Sequence, residues 1–190
     1  LPRMQLPSPQ TLFICFGVSE AGLALFKRSR RAAKRQDQGS FALLWAVIAA
    51  SMFLAIFIAV AWPVGSLGFS LWTYGLGSLL FLAGIGLRWW SIIHLGRFFT
   101  VDVAIAPDHR VVSDGPYRFV RHPSYAGALL SFLGLGILLH NWLAALVLVV
   151  PVLLAFLWRI SVEEKALGAA LGTAYAQYVQ RTKRLVPFLY

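Results

Sequence analysis

The sequence predicts an all-α fold, a polytopic membrane bundle of five transmembrane helices that ends in a C-terminal helical hairpin. Composition, the spacing of the apolar zones and the placement of positive charge all predict it. Of the 190 residues, 59% are hydrophobic and 13% charged, against about 45–50% and about 25% in soluble domains. The mean hydropathy is +0.73. Four long apolar zones alternate with polar segments, and the basic residues gather in blocks between them.

The first zone, roughly residues 11 to 26 (TLFICFGVSEAGLALF), is slightly short of the about 20 residues that a span needs. Residues 41 to 62 form the cleanest span and stop at Pro63, where a helix ladder loses a donor. The third zone, residues 69 to 93, is rich in glycine and contains the pair Trp89-Trp90 near its end. The fourth runs from about 123 to 158 and is broken at His140-Asn141. Read as a tight hairpin, it brings the crossings to five. Residues 126 to 139 alone would span only about 21 Å of the ~30 Å hydrocarbon core. Starting that helix at Pro123 adds nearly a turn, and proline suits the first helical position, where its missing N–H has no partner to lose.

Charge fixes the orientation. Lys27, Arg28, Arg30, Arg31, Lys34 and Arg35 follow the first span, and Arg97, Arg110, Arg118 and Arg121 follow the third. Arg159, Lys165, Arg181, Lys183 and Arg184 follow the fifth. Five crossings place all of these, 15 of the 17 basic residues, on one side, while connectors 63 to 68 and 140 to 141 hold none. By the positive-inside rule that side is cytosolic and the N-terminus is outside. The net charge of +10 therefore encodes topology, and no nucleic-acid partner is expected. Cys15 is the only cysteine, which excludes an internal disulfide or a cysteine-based metal site. The opening LPRMQLPSPQ lacks the features of a cleavable signal peptide. The expectation is an integral protein of a prokaryotic plasma membrane or of the endoplasmic reticulum.

Polar and aromatic residues concentrate at the hairpin entrance, GPYRFVRHPSYAGALL, residues 115 to 130. Arg121 and His122 precede the helix N-terminus, whose unpaired N–H groups suit an anion. After the hairpin comes WRISVEEKALGAALGTAYAQYVQRTKRLVPF, in which Arg159 and Glu163 lie four apart on one helical face. Taken alone, that pair reads as a surface ion pair on an interfacial amphipathic helix. His122 taken alone reads as a helix-end histidine, and Tyr117 and Tyr125 as aromatic-belt residues. Glu20, inside the first span, is a functional candidate by default, although a hydrogen bond with Ser19 would also satisfy it. The sequence has no Gly-x-Gly-x-x-Gly between a strand and a helix, no Walker loop, no Gly-x-Ser-x-Gly elbow and no metal-ligand spacing.

As an ordered set, the two segments carry a family likeness. His109, Val111-Val112, Gly115, Tyr117, the run Arg121 to Gly127, Glu163 to Leu167, Gly172, Tyr175, Tyr178 and Pro187 match a recurring C-terminal pattern. In these residues the chain resembles the isoprenylcysteine carboxyl methyltransferase family, over about its last 95 residues. The resemblance implies a cytosol-facing pocket for S-adenosylmethionine. It divides the chain into N-terminal spans, residues 1 to 95, and a cofactor-binding catalytic region, residues 96 to 190, that contains hairpin 123 to 158. The implied cofactor contacts are His109, Arg110, Val111, Val112, Tyr117, His122, Pro123, Ser124, Tyr125 and Glu163. Arg159 would face the acceptor carboxylate. Asp102 stands where some relatives place a glutamine-type contact, and Arg110 where the family is often uncharged; both are departures. The implied acceptor is a lipophilic, prenylated molecule entering from the bilayer, and the expected state is a monomer without a metal.

The chemistry suits these residue types. Methyl transfer from a sulfonium to a carboxylate is an in-line displacement that needs positioning more than acid–base groups, because the acceptor is already ionised at pH 7. Phospholipid N-methyltransferases resemble this family in the same elements, but their amine acceptor must first lose a proton. A nicotinamide-dependent membrane reductase and a non-enzymatic membrane protein are the other readings. Cofactor binding separates them.

Overall fold

The structure, a computed structural model, describes residues 7–26, 34–35, 39–62, 64–100, 104–105 and 108–187. Among the described residues five helices make up the bundle: α1 (Pro9–Phe26), α2 (Ser40–Ala61), α3 (Leu71–Leu95), α4 (Pro123–Leu138) and α5 (Trp142–Arg181). Three helical segments, Ser40–Ala61, Leu71–Phe98 and Trp142–Arg181, are long and apolar enough to cross a membrane by length and composition. The protein is an integral membrane protein of the predicted helical class. Two short 3₁₀ turns, Gly96–Phe98 and Gly115–Arg118, lie between α3 and α4. Strands β1 (Lys34–Arg35) and β2 (Ala104–Ile105) pair antiparallel, tying the segment after α1 to the one after α3.

Local chemistry sets the helix boundaries. The backbone N–H of Trp72 donates to Ser70 Oγ at 3.3 Å and caps α3, and Ala144 N donates to Asn141 Oδ1 at 3.0 Å to cap α5. Helix α3 ends at Gly96, whose φ of 59° favours glycine. Helix α4 starts at Pro123, and the hairpin turns at His140, the one non-glycine residue with positive φ (50°) among those described. That turn is clamped to the α2–α3 connector: Leu67 N donates to the His140 carbonyl at 2.8 Å, and Trp142 N to the Gly65 carbonyl at 3.1 Å.

Helix α4 packs along α3, and α2 along α5. Small residues permit the first contact: a Cβ on Gly84 would stand 2.6 Å from the Gly127 carbonyl, and one on Gly127 equally close to Arg88 N. In lipid, such close backbone approach replaces the hydrophobic drive that holds soluble helices together. The core gathers Phe16, Phe81, Phe132, Leu148, Val152 and Phe156, with the Phe16 and Phe132 rings 4.9 Å apart and edge to face. Large apolar side chains point outward along the spans, Trp72 being 89% exposed. On a soluble protein that surface would aggregate; here lipid is its solvent.

Helix α5 is 40 residues long, about 60 Å at 1.5 Å per residue, so it runs well past a ~30 Å core. Its second half carries the stretch read from sequence as interfacial, and it bends at Gly172 (φ 55°, ψ −126°). The helix stops at Arg181, earlier than Pro187. The chain then turns back to lie beside residues 120–122, where Val120 and Lys183 form a parallel bridge.

Candidate functional site

A cavity opens where the α4 N-terminus, the segment before it and the outer half of α5 converge. His109, Arg110, Val111, Val112, Tyr117, His122, Ser124, Tyr125, Arg159 and Glu163 all line it. Pro123 is buried behind them as the first residue of α4, and Asp102 lies outside the described residues. The cavity wall also contains Phe98, Phe99, Thr100, Arg121, Leu167, Leu171, Tyr175 and Tyr178, none of which the motif reading had singled out as contacts. The α5 members were legible: Glu163, Leu167, Leu171 and Tyr175 recur every four residues, a single helical stripe.

The aromatic residues are anchored rather than loose in an interfacial belt. Tyr117 is buried; its hydroxyl donates to the Ser91 carbonyl at 3.3 Å, and its own carbonyl accepts from Tyr178 Oη at 2.7 Å. The Tyr117 ring stacks on His94, 6.3 Å between centroids, and His94 Nε2 pairs with Asp114 at 3.0 Å. Burial raises the Tyr117 and Tyr175 phenols far above their usual range, helped by the negative charge of Glu163 on both. Burial pushes Tyr178 up to about 12. These hydroxyls are protonated at neutral pH, and those of Tyr117 and Tyr178 are already committed as donors within the protein.

His109 packs against Phe98, ring centroids 4.9 Å apart. Burial lowers its pKa, opposed in part by Glu163 and Asp108, so its imidazole is neutral at pH 7. His109 Nδ1 and Tyr175 Oη are buried without a hydrogen-bond partner. Buried polar atoms are rarely left unpaired, and two of them in the wall of one cavity are what a polar ligand there would satisfy.

Arg159 is 2% exposed. Its Nε donates to Tyr125 Oη at 3.2 Å and its Nη1 to Ser40 Oγ at 2.6 Å, and the Phe41 ring lies 5.9 Å from its guanidinium. These partners differ from the surface ion pair that the spacing to Glu163 suggested. A second, more apolar cavity continues from the first and shares Phe99, Thr100, Ser124, Tyr125 and Arg159 with it. Its further walls include Phe16, Phe41, Leu44, Ile48, Arg88, Phe132 and Phe156, drawn from α1 to α5.

Glu20 lines that second cavity and binds Arg88, not Ser19. Arg88 Nε and Nη2 donate to the two Glu20 oxygens at 2.5 Å each, while Nη1 donates to the Ser124 carbonyl and hydroxyl at 3.2 Å. Ser19 instead accepts from Trp89 Nε1 at 3.0 Å. Sequence reasoning passed over Arg88, although an arginine inside a span carries the same signal as Glu20. Among the described residues no group of three His, Cys, Asp or Glu side chains could hold a metal ion.

Residues 76–169 match the model of the isoprenylcysteine carboxyl methyltransferase family. Protein-S-isoprenylcysteine O-methyltransferase B of Arabidopsis thaliana is 36% identical over 120 residues, 62% of this chain and 61% of that one. The Schizosaccharomyces pombe protein-S-isoprenylcysteine O-methyltransferase is 31% identical over 140 residues, 72% of this chain and 59% of that one. The chain thus spans about three fifths of the length of these two relatives. A solved structure, the eukaryotic intramembrane Ras methyltransferase ICMT, shares the fold with a TM-score of 0.64 at 21% identity, over 98% of this chain and 70% of that one. With the motif order, the family model and the fold in agreement, the chain belongs to the isoprenylcysteine carboxyl methyltransferase family.

Proposed function

We propose that the protein is a membrane methyltransferase that uses S-adenosylmethionine to methylate the carboxylate of an isoprenylcysteine-like lipophilic acceptor. One observation carries the reading: a polar cavity and a lipid-level apolar cavity meet at Arg159, which lines both. The polar cavity suits the cofactor, and the apolar one suits the chain of a lipophilic acceptor entering from the bilayer. Residues 96–190 supply most of the polar cavity, with the basic segments and the site on the cytosolic side, the N-terminus outside and the chain acting as a monomer.

The residues present fit S-adenosylmethionine, given the two unpaired polar atoms, His109 Nδ1 and Tyr175 Oη, in the cavity wall. When bound, that cofactor supplies an electrophilic methyl group on a sulfonium. Glu163 accepts from its hydroxyl or amino groups. The first turn of α4, around Ser124 and Tyr125, offers N–H groups to its carboxylate. His109, Arg110, Val111 and Val112 close the wall across from Glu163, and the faces of Tyr117 and Tyr125 add a cation–π contribution of about 0.5–2 kcal/mol. Arg159 would hold the acceptor carboxylate at the junction of the two cavities, positioning it for transfer of the methyl group that the cofactor would supply. Apolar walls exclude water from the reacting centre.

A radiolabelled methyl-transfer assay tests the proposal, with protein in detergent offered a farnesylated cysteine analogue or phosphatidylethanolamine. Label is expected in the farnesylated acid. Label in the amine lipid alone would move the chain to the phospholipid N-methyltransferase reading, and calorimetry with folded protein showing no heat for S-adenosylmethionine or S-adenosylhomocysteine would remove both.

A further inference from the structure

Two adjacent glutamates occupy different worlds. Glu163 lines the cavity, whereas Glu164 does not and faces the far side of His122. Glu164 Oε1 accepts from Arg121 Nε at 2.9 Å and from His122 Nε2 at 3.2 Å, and its Oε2 accepts from Arg184 Nη2 at 2.8 Å and Nε at 3.0 Å. Its side chain is 14% exposed. Burial alone would raise its pKa, but hydrogen bonds from His122, Arg184 and Arg121 outweigh that and hold the carboxyl near 2.

The carboxylate joins three stretches of chain. Arg121 and His122 enter α4, Glu164 belongs to α5, and Arg184 belongs to the tail. The backbone repeats the connection: Arg121 N donates to the Lys183 carbonyl at 2.7 Å and His122 N to the Arg184 carbonyl at 3.0 Å. Arg121 Nη1 donates further to the carbonyls of Thr182 and Val179. An ionised carboxylate only accepts, so Glu164 requires a proton on His122 Nε2. The other ring nitrogen, Nδ1, is thereby turned toward Glu163, 3.9 Å from its Oε2.

We propose that Glu164 is a positioning residue: it fixes the ring orientation and Nε2–H form of His122 and fastens tail residues 182–184 over the α4 entrance, and ligand affinity in the cavity depends on both. Glu164 itself touches no ligand. The inference rests on the methyltransferase reading only for the identity of the probe, S-adenosylhomocysteine.

The test has two readouts. In detergent-solubilised protein labelled with ¹⁵N-histidine, long-range ¹H–¹⁵N spectra report which ring nitrogen is protonated, with His122 assigned through His122→Gln. The expected wild-type spectrum shows His122 protonated at Nε2. Glu164→Ala is expected to mix the ring forms and to weaken S-adenosylhomocysteine binding about tenfold or more by calorimetry, the scale of one lost charge-assisted hydrogen bond. Arg184→Gln, which leaves His122 and its carboxylate in place, is expected to weaken binding by a smaller factor with the Nε2–H form retained. Should Glu164→Ala fail to fold, the wild-type spectrum and Arg184→Gln carry the test. A wild-type His122 protonated only at Nδ1, or variants that bind within twofold of wild type, would overturn it. If wild type itself binds no S-adenosylhomocysteine, the functional reading falls, and the wild-type ring form alone decides this proposal.

Discussion

Arg88 and Arg159 are both buried, 7% and 2% exposed, yet their surroundings have opposite logic. Arg88 is enclosed by structural partners: Glu20 takes two of its nitrogens and Ser124 the third. Arg159 stands at the wall shared by two cavities, held by Tyr125 and Ser40. Burial of a charge therefore marks a place where the fold has invested polar groups; both arginines reach the apolar cavity, and only Arg159 also lines the polar one, which distinguishes the tool from the brace. Both arginines sit close to Ser124 and Tyr125, so the brace immobilises the helix entrance at which the tool works.

Substitution of the brace gives the largest expected effect on stability. Arg88→Ala leaves Glu20 as an unpaired buried carboxylate and is expected to destabilise by about 3–5 kcal/mol, read as the thermal midpoint in detergent. The double change Glu20→Gln with Arg88→Met is expected to recover most of that loss. If it does not, the pair is more than a brace. The tool comes next: Arg159→Ala is expected to cut turnover by about 10²–10³-fold, the scale of removing one donor at a reacting oxyanion, while sparing cofactor binding. Glu163→Ala is expected to do the reverse and abolish cofactor binding. Equal, mild effects from both would leave Arg159 and Glu163 without separate roles in catalysis and cofactor binding.

Acid sharpens the comparison further. The folded-state value of Glu164, about 2, lies below its ordinary 4.5, so its contribution to stability is fully present above that ordinary value and is lost as pH falls through about 2. Wild type is expected to lose on the order of 1–2 kcal/mol across that window relative to Glu164→Gln, a figure discounted for the water at the rim. A variant that follows the wild-type acid curve would dissociate Glu164 from the network. The smallest effect is expected from Tyr178→Phe, which removes the hydrogen bond to the Tyr117 carbonyl and costs about 1 kcal/mol.

What the sequence made legible was local. Pro123, the break at His140-Asn141 and the end of α2 before Pro63 are each set by a few neighbouring residues, and composition reports them directly. The ordered motifs brought together residues that converge on one cavity, because the hairpin forces the α4 entrance against the outer half of α5. The pairings across long separations were not legible. Glu20 and Arg88 are 68 residues apart, and nothing in either segment names the other. Arg184 and Glu164 are 20 apart, but the tail reaches that carboxylate only after the helix ends at Arg181, three residues beyond any helical periodicity. Arg159 kept the predicted face but exchanged its predicted helical partner for side chains from α2 and α4, a tertiary choice that spacing does not encode.

The tail pairing also sets an order of assembly. Arg121 and His122 emerge from the ribosome well before Lys183 and Arg184, whose carbonyls receive their N–H groups. At synthesis rates of about 5–20 residues per second, that interval lasts roughly 3–12 s. During it the α4 entrance lies open, its donors unmatched beside the membrane. A chain ending before Lys183 would already contain α1 to α5 while the α4 entrance still lacked its backbone pairing with the tail.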